Sequence, residues 1–194
     1  MIKEKAVTQF SVNEIKSAPF VDFIFSNPKM AWLWLIVRVW LGYQWITSGY
    51  GKLTNPAWMS GGDALKGFLA RNVQAAIDNP AHPPIAYKWF VAFLQSIVDS
   101  GSYSWMAKMV AVGEFLIGIA LILGLFTAIA AFFSGFMVWN FALAGSAGVA
   151  PMFLLLSVLL IAAWRIAGLW GLDRFRFEYV GTLWQPGKWF KKSK

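Results

Sequence analysis

Four stretches of this chain stay apolar for about the length a helix needs to cross a membrane, and no other feature constrains the fold as strongly. They cover residues 31–50, 106–126, 127–144 and 150–170. A hydrocarbon layer of about 30 Å takes about 20 helical residues. Soluble core helices rarely read apolar on every side for that distance. The expected class is therefore all-α, an integral membrane four-helix bundle. Composition agrees: hydrophobic residues are 58% of the chain and charged residues 13%, against roughly 45–50% and about 25% in soluble domains. Twelve Trp and seventeen Phe suit both the filling of a bundle and the anchoring of its ends at the interfaces.

The connections set the organisation. Stretches two and three meet at LGLFTA, a tight antiparallel hairpin. Stretches three and four meet at GSAGVAP, where Gly145 and Gly148 release one helix and Pro151 can start the next. Small residues four apart, Ala107/Ala111, Ala120/Gly124 and Ala131/Gly135, permit the close helix approach on which membrane bundles rely. Between stretches one and two lies a long segment, residues 52–105. It reads as a turn at KLTNPAW, then a helix in SGGDALKGFLARNVQAAI capped by Ser60 or Asp63. A break at DNPAHPP follows, then an aromatic run, IAYKWFVAFLQSIV, too short to span. That run is expected to lie in or dip into the interface, which makes the segment an extra interfacial helical cap over the bundle.

Residues 30–176 are expected to form the membrane domain, flanked by a cytoplasmic amino-terminal segment, 1–29, and a basic cytoplasmic tail, 177–194. The first segment has no apolar run of signal-peptide length. Its two short apolar stretches, residues 10–15 and 20–25, are candidates for an amphipathic segment on the membrane surface. Lys and Arg near span ends collect on the cytoplasmic side. The tails hold Lys3, Lys5, Lys16, Lys29, Arg174, Arg176, Lys188, Lys191, Lys192 and Lys194, ten of the seventeen basic residues. An even number of spans puts both tails on one side. The expectation is a multi-pass protein of the cell membrane with both termini cytoplasmic and residues 52–105 outside. The net charge of +8 then reads as contact with anionic lipid heads, not with nucleic acid. A chain without Cys has no disulfide, thiolate metal site or iron–sulfur cluster of its own. The single His82 reads as a loop residue, and no metal site is expected.

Three ionisable residues fall inside the apolar stretches: Arg38, Glu114 and Arg165. A lone charge at the bilayer centre costs roughly 2.5–3.5 kcal/mol on insertion scales, so such residues face partners or water. Their depths allow a cluster of Arg38 and Glu114, with Arg165 either joining it or reaching to the interface. Two arginines to one glutamate would leave a positive excess, favouring an anionic or carbonyl-bearing ligand. Gln44, Trp139 and Asn140 form a second polar layer nearer the outside. The residues leave open whether the cluster locks helix packing, holds a ligand or moves a proton.

With these residues placed, the chain resembles the DoxX/DoxD family of small four-helix membrane proteins. The resemblance rests on RVWLGYQWITSGYGKLTNPAW from residue 38, VGEFLIGIALILGLFTAIAAF from residue 112 and AWRIAGLWGLDRF from residue 163. It carries over Arg38, Gly49, Lys52, Glu114, Gly124 and Asp173. For the DoxD branch it implies the membrane subunit of a thiosulfate:quinone oxidoreductase. Glu114 and Arg38 would then be catalytic, with Arg38, Gln44, Lys52, Trp139, Asn140 and Arg165 binding ligand and Lys52 at the outer mouth. The sequence has no flavin, haem or metal motif, so a second subunit or the quinone itself would supply the redox chemistry. The alternatives are a non-catalytic carrier of a lipid-like or anionic small molecule, gated by residues 52–105, and a structural partner in a membrane complex. A homo-oligomer is compatible with each.

Overall fold

The computed structural model describes residues 18–146, 148, 150–182 and 185–190. The amino-terminal stretch 10–15 and Lys191, Lys192 and Lys194 lie outside them. The described chain is helical: α1 (Pro19–Ser26), a short 3-10 turn (Pro28–Met30), α2 (Ala31–Leu53), α3 (Pro56–Met59), α4 (Asp63–Asp78), α5 (Lys88–Asp99), α6 (Tyr103–Leu123), α7 (Thr127–Leu143), α8 (Ala150–Ala162) and α9 (Asp173–Tyr179). A two-residue antiparallel pairing of Gly181–Thr182 with Gln185–Pro186 follows.

The bundle is built on α2 and α6, which run antiparallel with their backbones nearly touching. Glycines make this possible. A Cβ at Gly118 would lie 2.6 Å from Ile46 N, and one at Gly49 would lie 2.5 Å from Phe115 N. Such closeness lets backbones gain dispersion contacts where water gives helices no drive to associate. Leucine at Gly118 must push α2 away, and overpacking of this kind costs typically about 1–3 kcal/mol. A Gly118→Leu variant should therefore unfold at lower temperature in detergent, and an unchanged midpoint would show the interface to be plastic. On the far side, α7 meets α8 through Gly135, where a Cβ would sit 3.4 Å from Ser157 Cβ. The core between them holds Trp34, Leu41, Trp45, Leu121, Ala131, Val138 and Leu160.

Residues 52–105 fold back as a cap of α3, α4 and α5. A second apolar cluster, including Leu69, Val73, Phe90 and Leu94, packs around Ala144 beyond the end of α7. Asn72 Nδ2 donates to the Ala144 carbonyl at 2.9 Å. The helix expected to be capped by Ser60 or Asp63 has no side-chain cap. Gly62, at φ 78°, precedes Asp63, and the acidic side chain falls in the first turn, where the helix dipole favours it. Tyr87, Trp89 and Phe93 leave an exposed aromatic face on and beside α5.

The fourth apolar stretch is not one helix. α8 stops at Ala162, and the backbone continues as turns, with Ile166 N donating to Ala163 O and Gly171 N to Gly168 O. The cause is a docking site. Leu172 N and Asp173 N donate to Leu123 O at 3.0 Å and Gly124 O at 2.8 Å, carbonyls that the end of α6 leaves unpaired. A continuous helix through residue 170 would carry the chain past them.

Among the described helices α6 alone is both long and apolar enough by itself to cross a membrane. α2 meets that test together with α1, from which it is bent by 58°, and α7 and α8 are apolar but shorter, at 17 and 13 residues. The outward surface is apolar along several helices: Ile36, Val39, Leu116, Ile129, Phe133, Phe136, Leu155 and Val158 are all exposed. Soluble monomers rarely expose apolar patches of this extent. The surface is that of a membrane protein.

Candidate functional site

Arg38 is 1% exposed, and its guanidinium is committed to backbone. Nη1 donates to Leu121 O at 2.9 Å and Ile122 O at 3.2 Å, and Nη2 to Trp170 O at 3.3 Å. The first two carbonyls belong to the last turn of α6, the negative end of its dipole. Gly124 ends that helix at φ 65°, and a Cβ there would collide with Arg38. Across the turn, buried Asp173 accepts from Phe126 N at 2.9 Å and Thr127 N at 2.8 Å, the unpaired donors at the start of α7. It also accepts from Arg176 Nε at 2.8 Å. A cation thus caps the C-terminus of α6 and an anion the N-terminus of α7, each the sign its dipole favours. Arg38, Gly124 and Asp173 form one clamp that fixes the hairpin and docks residues 170–173. Its geometry serves the fold.

Glu114 pairs with Lys52 and not with Arg38. Lys52 Nζ lies 2.6 Å from Glu114 Oε2 and 2.7 Å from Ser48 Oγ, with the Trp58 ring 5.2 Å away. The Arg38–Glu114 cluster that the depths allow is absent for a directional reason, and Arg165 does not join it. Helical side chains lean toward the N-terminus of their own helix. That carries Arg38 away from Glu114, to carbonyls about 10 Å further along α6, and brings Lys52 back onto it. Glu114 is 1% exposed and the Lys52 side chain 20%, so the carboxylate is sealed while the ammonium still reaches its surroundings. Among the described residues Oε2 alone of the two carboxylate oxygens has a hydrogen-bond partner.

The pair forms one end of a cavity of about 230 Å³ between α2, α6, α7 and α8. Ser48, Lys52, Glu114 and Ser146 make its polar end, and Trp45, Val138, Phe141, Ala150 and Phe153 its apolar walls. The volume is below the roughly 300–1,000 Å³ of drug-sized sites, a space for one ring. Trp45 is fixed by a buried chain of hydrogen bonds. Its Nε1 donates to Ser134 Oγ at 2.7 Å, Ser134 meets Ser157 Oγ at 2.8 Å, and Ser157 donates to Phe153 O at 2.8 Å. With its only donor used, the indole offers the cavity an apolar face. Its centroid lies 6.4 Å from that of Phe141 and 6.0 Å from that of Phe153.

The other candidate residues lie elsewhere. Trp139 is 53% exposed on the outer face of α7, and Asn140 Nδ2 bonds within its own helix to Phe136 O at 2.8 Å. Arg165 is exposed with its guanidinium 5.6 Å from the Trp164 ring. Gln44 is half-buried, one turn below Ser48 and outside the cavity wall. His82 is exposed in the cap. No group of His, Asp and Glu that could hold a metal occurs among the described residues. The cavity's charge therefore differs from the positive excess expected: one lysine faces one glutamate. Trp45, Ser48, Phe141 and Phe153 are the residues that sequence reasoning missed. Leu41, Trp45, Ser48 and Lys52 follow at helical spacing on one face of α2, which was the available signal.

Comparison with known proteins adds one finding. The sequence pattern of the DoxX family matches residues 33–147, a region that contains Arg38, Lys52, Glu114 and the α2, α6 and α7 walls of the cavity. No curated relative and no solved structure matches the chain.

Proposed function

The chain belongs to the DoxX family, and from that premise we propose that it is the four-span membrane subunit of a quinone-linked oxidoreductase, of the DoxD type, holding a quinone head in the cavity beside Lys52 and Glu114. α2, α6, α7 and α8 are the spans in this reading, with the turns after α8 completing the fourth. Both termini then face the cytoplasm, and the α3–α5 cap lies outside.

One observation carries the reading: a buried carboxylate and a partly exposed ammonium, 2.6 Å apart, close one end of an aromatic-walled cavity. The pair is neutral overall, so an anion gains no net attraction there, while a neutral ring finds aromatic faces and a donor. This favours a quinone over the anionic ligand considered from sequence, and it leaves oxidation of a sulfur anion to a second subunit. Reduction of a quinone to a quinol takes two electrons and two protons. Lys52 is placed to donate a hydrogen bond to a ring carbonyl, and each of the two protons enters from water, is taken up by the Glu114 carboxylate and passes from it to a ring oxygen, acid–base work that a positioned carboxylate can perform. The electrons come from the second subunit.

The reading predicts that the chain, extracted in mild detergent, retains quinone detectable by native mass spectrometry. A Lys52→Met variant should lose it. Equal retention by the two proteins would place the quinone outside this cavity.

A further inference from the structure

We infer that the seam between α2 and α8 is a lateral entrance to this cavity from the lipid, with Phe153 as its door and Trp40 as the latch, so that the site selects ring-headed ligands bearing an apolar tail. The inference rests on the proposal that the cavity holds a ligand; it adds how that ligand arrives and what its remainder must be.

Two of the other seams are packed. α2 and α6 meet through backbone at Gly42, Gly49 and Gly118, and α7 is bonded to α8 through the Ser134–Ser157 pair. At the cap end the Trp58 ring lies 5.2 Å from Lys52 Nζ, Asn72 ties the cap to Ala144 O, and Ser146 is exposed where it lines the cavity. The α2–α8 seam is different. Leu41 and Leu160 are both 0% exposed in the core. Among the described residues no hydrogen bond joins the two helices, and Phe153 meets α2 through rings. Phe153 stands between Trp45, which is buried on the cavity side, and Trp40, which is 36% exposed on the outside. The centroid distances are 6.0 and 5.8 Å, and both contacts are edge-on.

A phenyl ring held only by ring edges can turn about its side-chain torsions, a fast local motion compared with the parting of helices. Ser48 lines the cavity and is exposed, so there is an opening on this flank of α2, with Gln44 one turn below it, and a turn of Phe153 widens it. Outside the door the surface is apolar. A ring can pass between Ser48 and Phe153 into the cavity while a hydrocarbon tail stays in the lipid. A water-filled mouth would give no advantage to a tail.

The test uses the full chain in lipid nanodiscs and a benzoquinone with a short isoprenoid tail, which partitions between water and lipid. Binding rates are measured while the amount of lipid is varied. The rate should follow the quinone's mole fraction in the bilayer and not its concentration in water. Trp40→Ala should bind and release this quinone about tenfold faster, the change that ~1.4 kcal/mol on the barrier produces, while Trp40→Phe, which keeps a ring edge, should behave as wild type. Acceleration cannot be mimicked by a misfolded variant, and Phe153→Leu, with a smaller door, should accelerate as well. A rate that follows the aqueous concentration, or one unchanged in both Trp40→Ala and Phe153→Leu, overturns the entrance. If wild type binds no quinone at all, the functional reading fails and the entrance with it.

Discussion

Replacing Arg38 with methionine is expected to leave little folded protein. Its guanidinium donates to three carbonyls from two separate segments, and hydrogen bonds to charged groups are worth about 1.5–3 kcal/mol each. They are not additive, but a loss of about 3–5 kcal/mol is reasonable, the range seen when a buried charged partner is removed. Native proteins have only about 5–15 kcal/mol to lose. Methionine fills much of the space yet donates nothing, so the α6 carbonyls and Trp170 O would lie buried without partners. Lysine should not rescue the fold, because a single ammonium on a flexible stem cannot reproduce a planar fork that spans three acceptors. The measurement is the thermal unfolding midpoint in detergent, with membrane yield beside it. Wild-type stability in Arg38→Met would mean that the clamp is dispensable.

Glu114→Gln should do the opposite, sparing the fold and removing the chemistry. Glutamine keeps the shape, and its carbonyl oxygen can still accept from Lys52, whose ammonium is exposed enough to keep some hydration. What it loses is the carboxylate that takes up a proton and passes it on. General acid–base groups contribute typically about 10²–10⁴-fold, and quinone reduction by the complex with its electron-donating subunit should fall by that order. The unfolding midpoint and quinone retention should stay close to wild type. Glu114→Asp, one methylene shorter but still acidic, should recover part of the rate. Undiminished turnover in Glu114→Gln would remove this carboxylate from the mechanism.

How much of this was legible in the sequence follows from what each feature depends on. The helices in the first three apolar stretches could be read because length and hydrophobicity are local properties. The fourth was misread for the same reason: residues 163–170 stay apolar, but the chain turns there to bring Trp170 O to Arg38 and Asp173 to the start of α7. Arg38, Lys52 and Glu114 stood out as charges beside or within apolar runs. Their partners did not, since depth in a span says nothing about helix rotation or the direction in which a side chain leans. Trp139, placed by depth with Gln44 and Asn140 in the outer polar layer, points outward, while Trp45 shares a face with Ser48 and Lys52. Of the six residues carried over from the family resemblance, Arg38, Gly124 and Asp173 build the clamp. Gly49, Lys52 and Glu114 build the interface and the site, with Gly49 letting α2 approach α6 beside Glu114. Two tasks that looked like one cluster in the sequence are separated along the bundle.

The most direct test of the account is a structure of the protein in lipid with a tailed benzoquinone bound. It should show the ring in the cavity against Trp45, with a carbonyl oxygen about 2.7–3.2 Å from Lys52 Nζ and Arg38 still on its carbonyls. A ring bound against Arg38, or an unaltered cavity at saturating quinone, would contradict it.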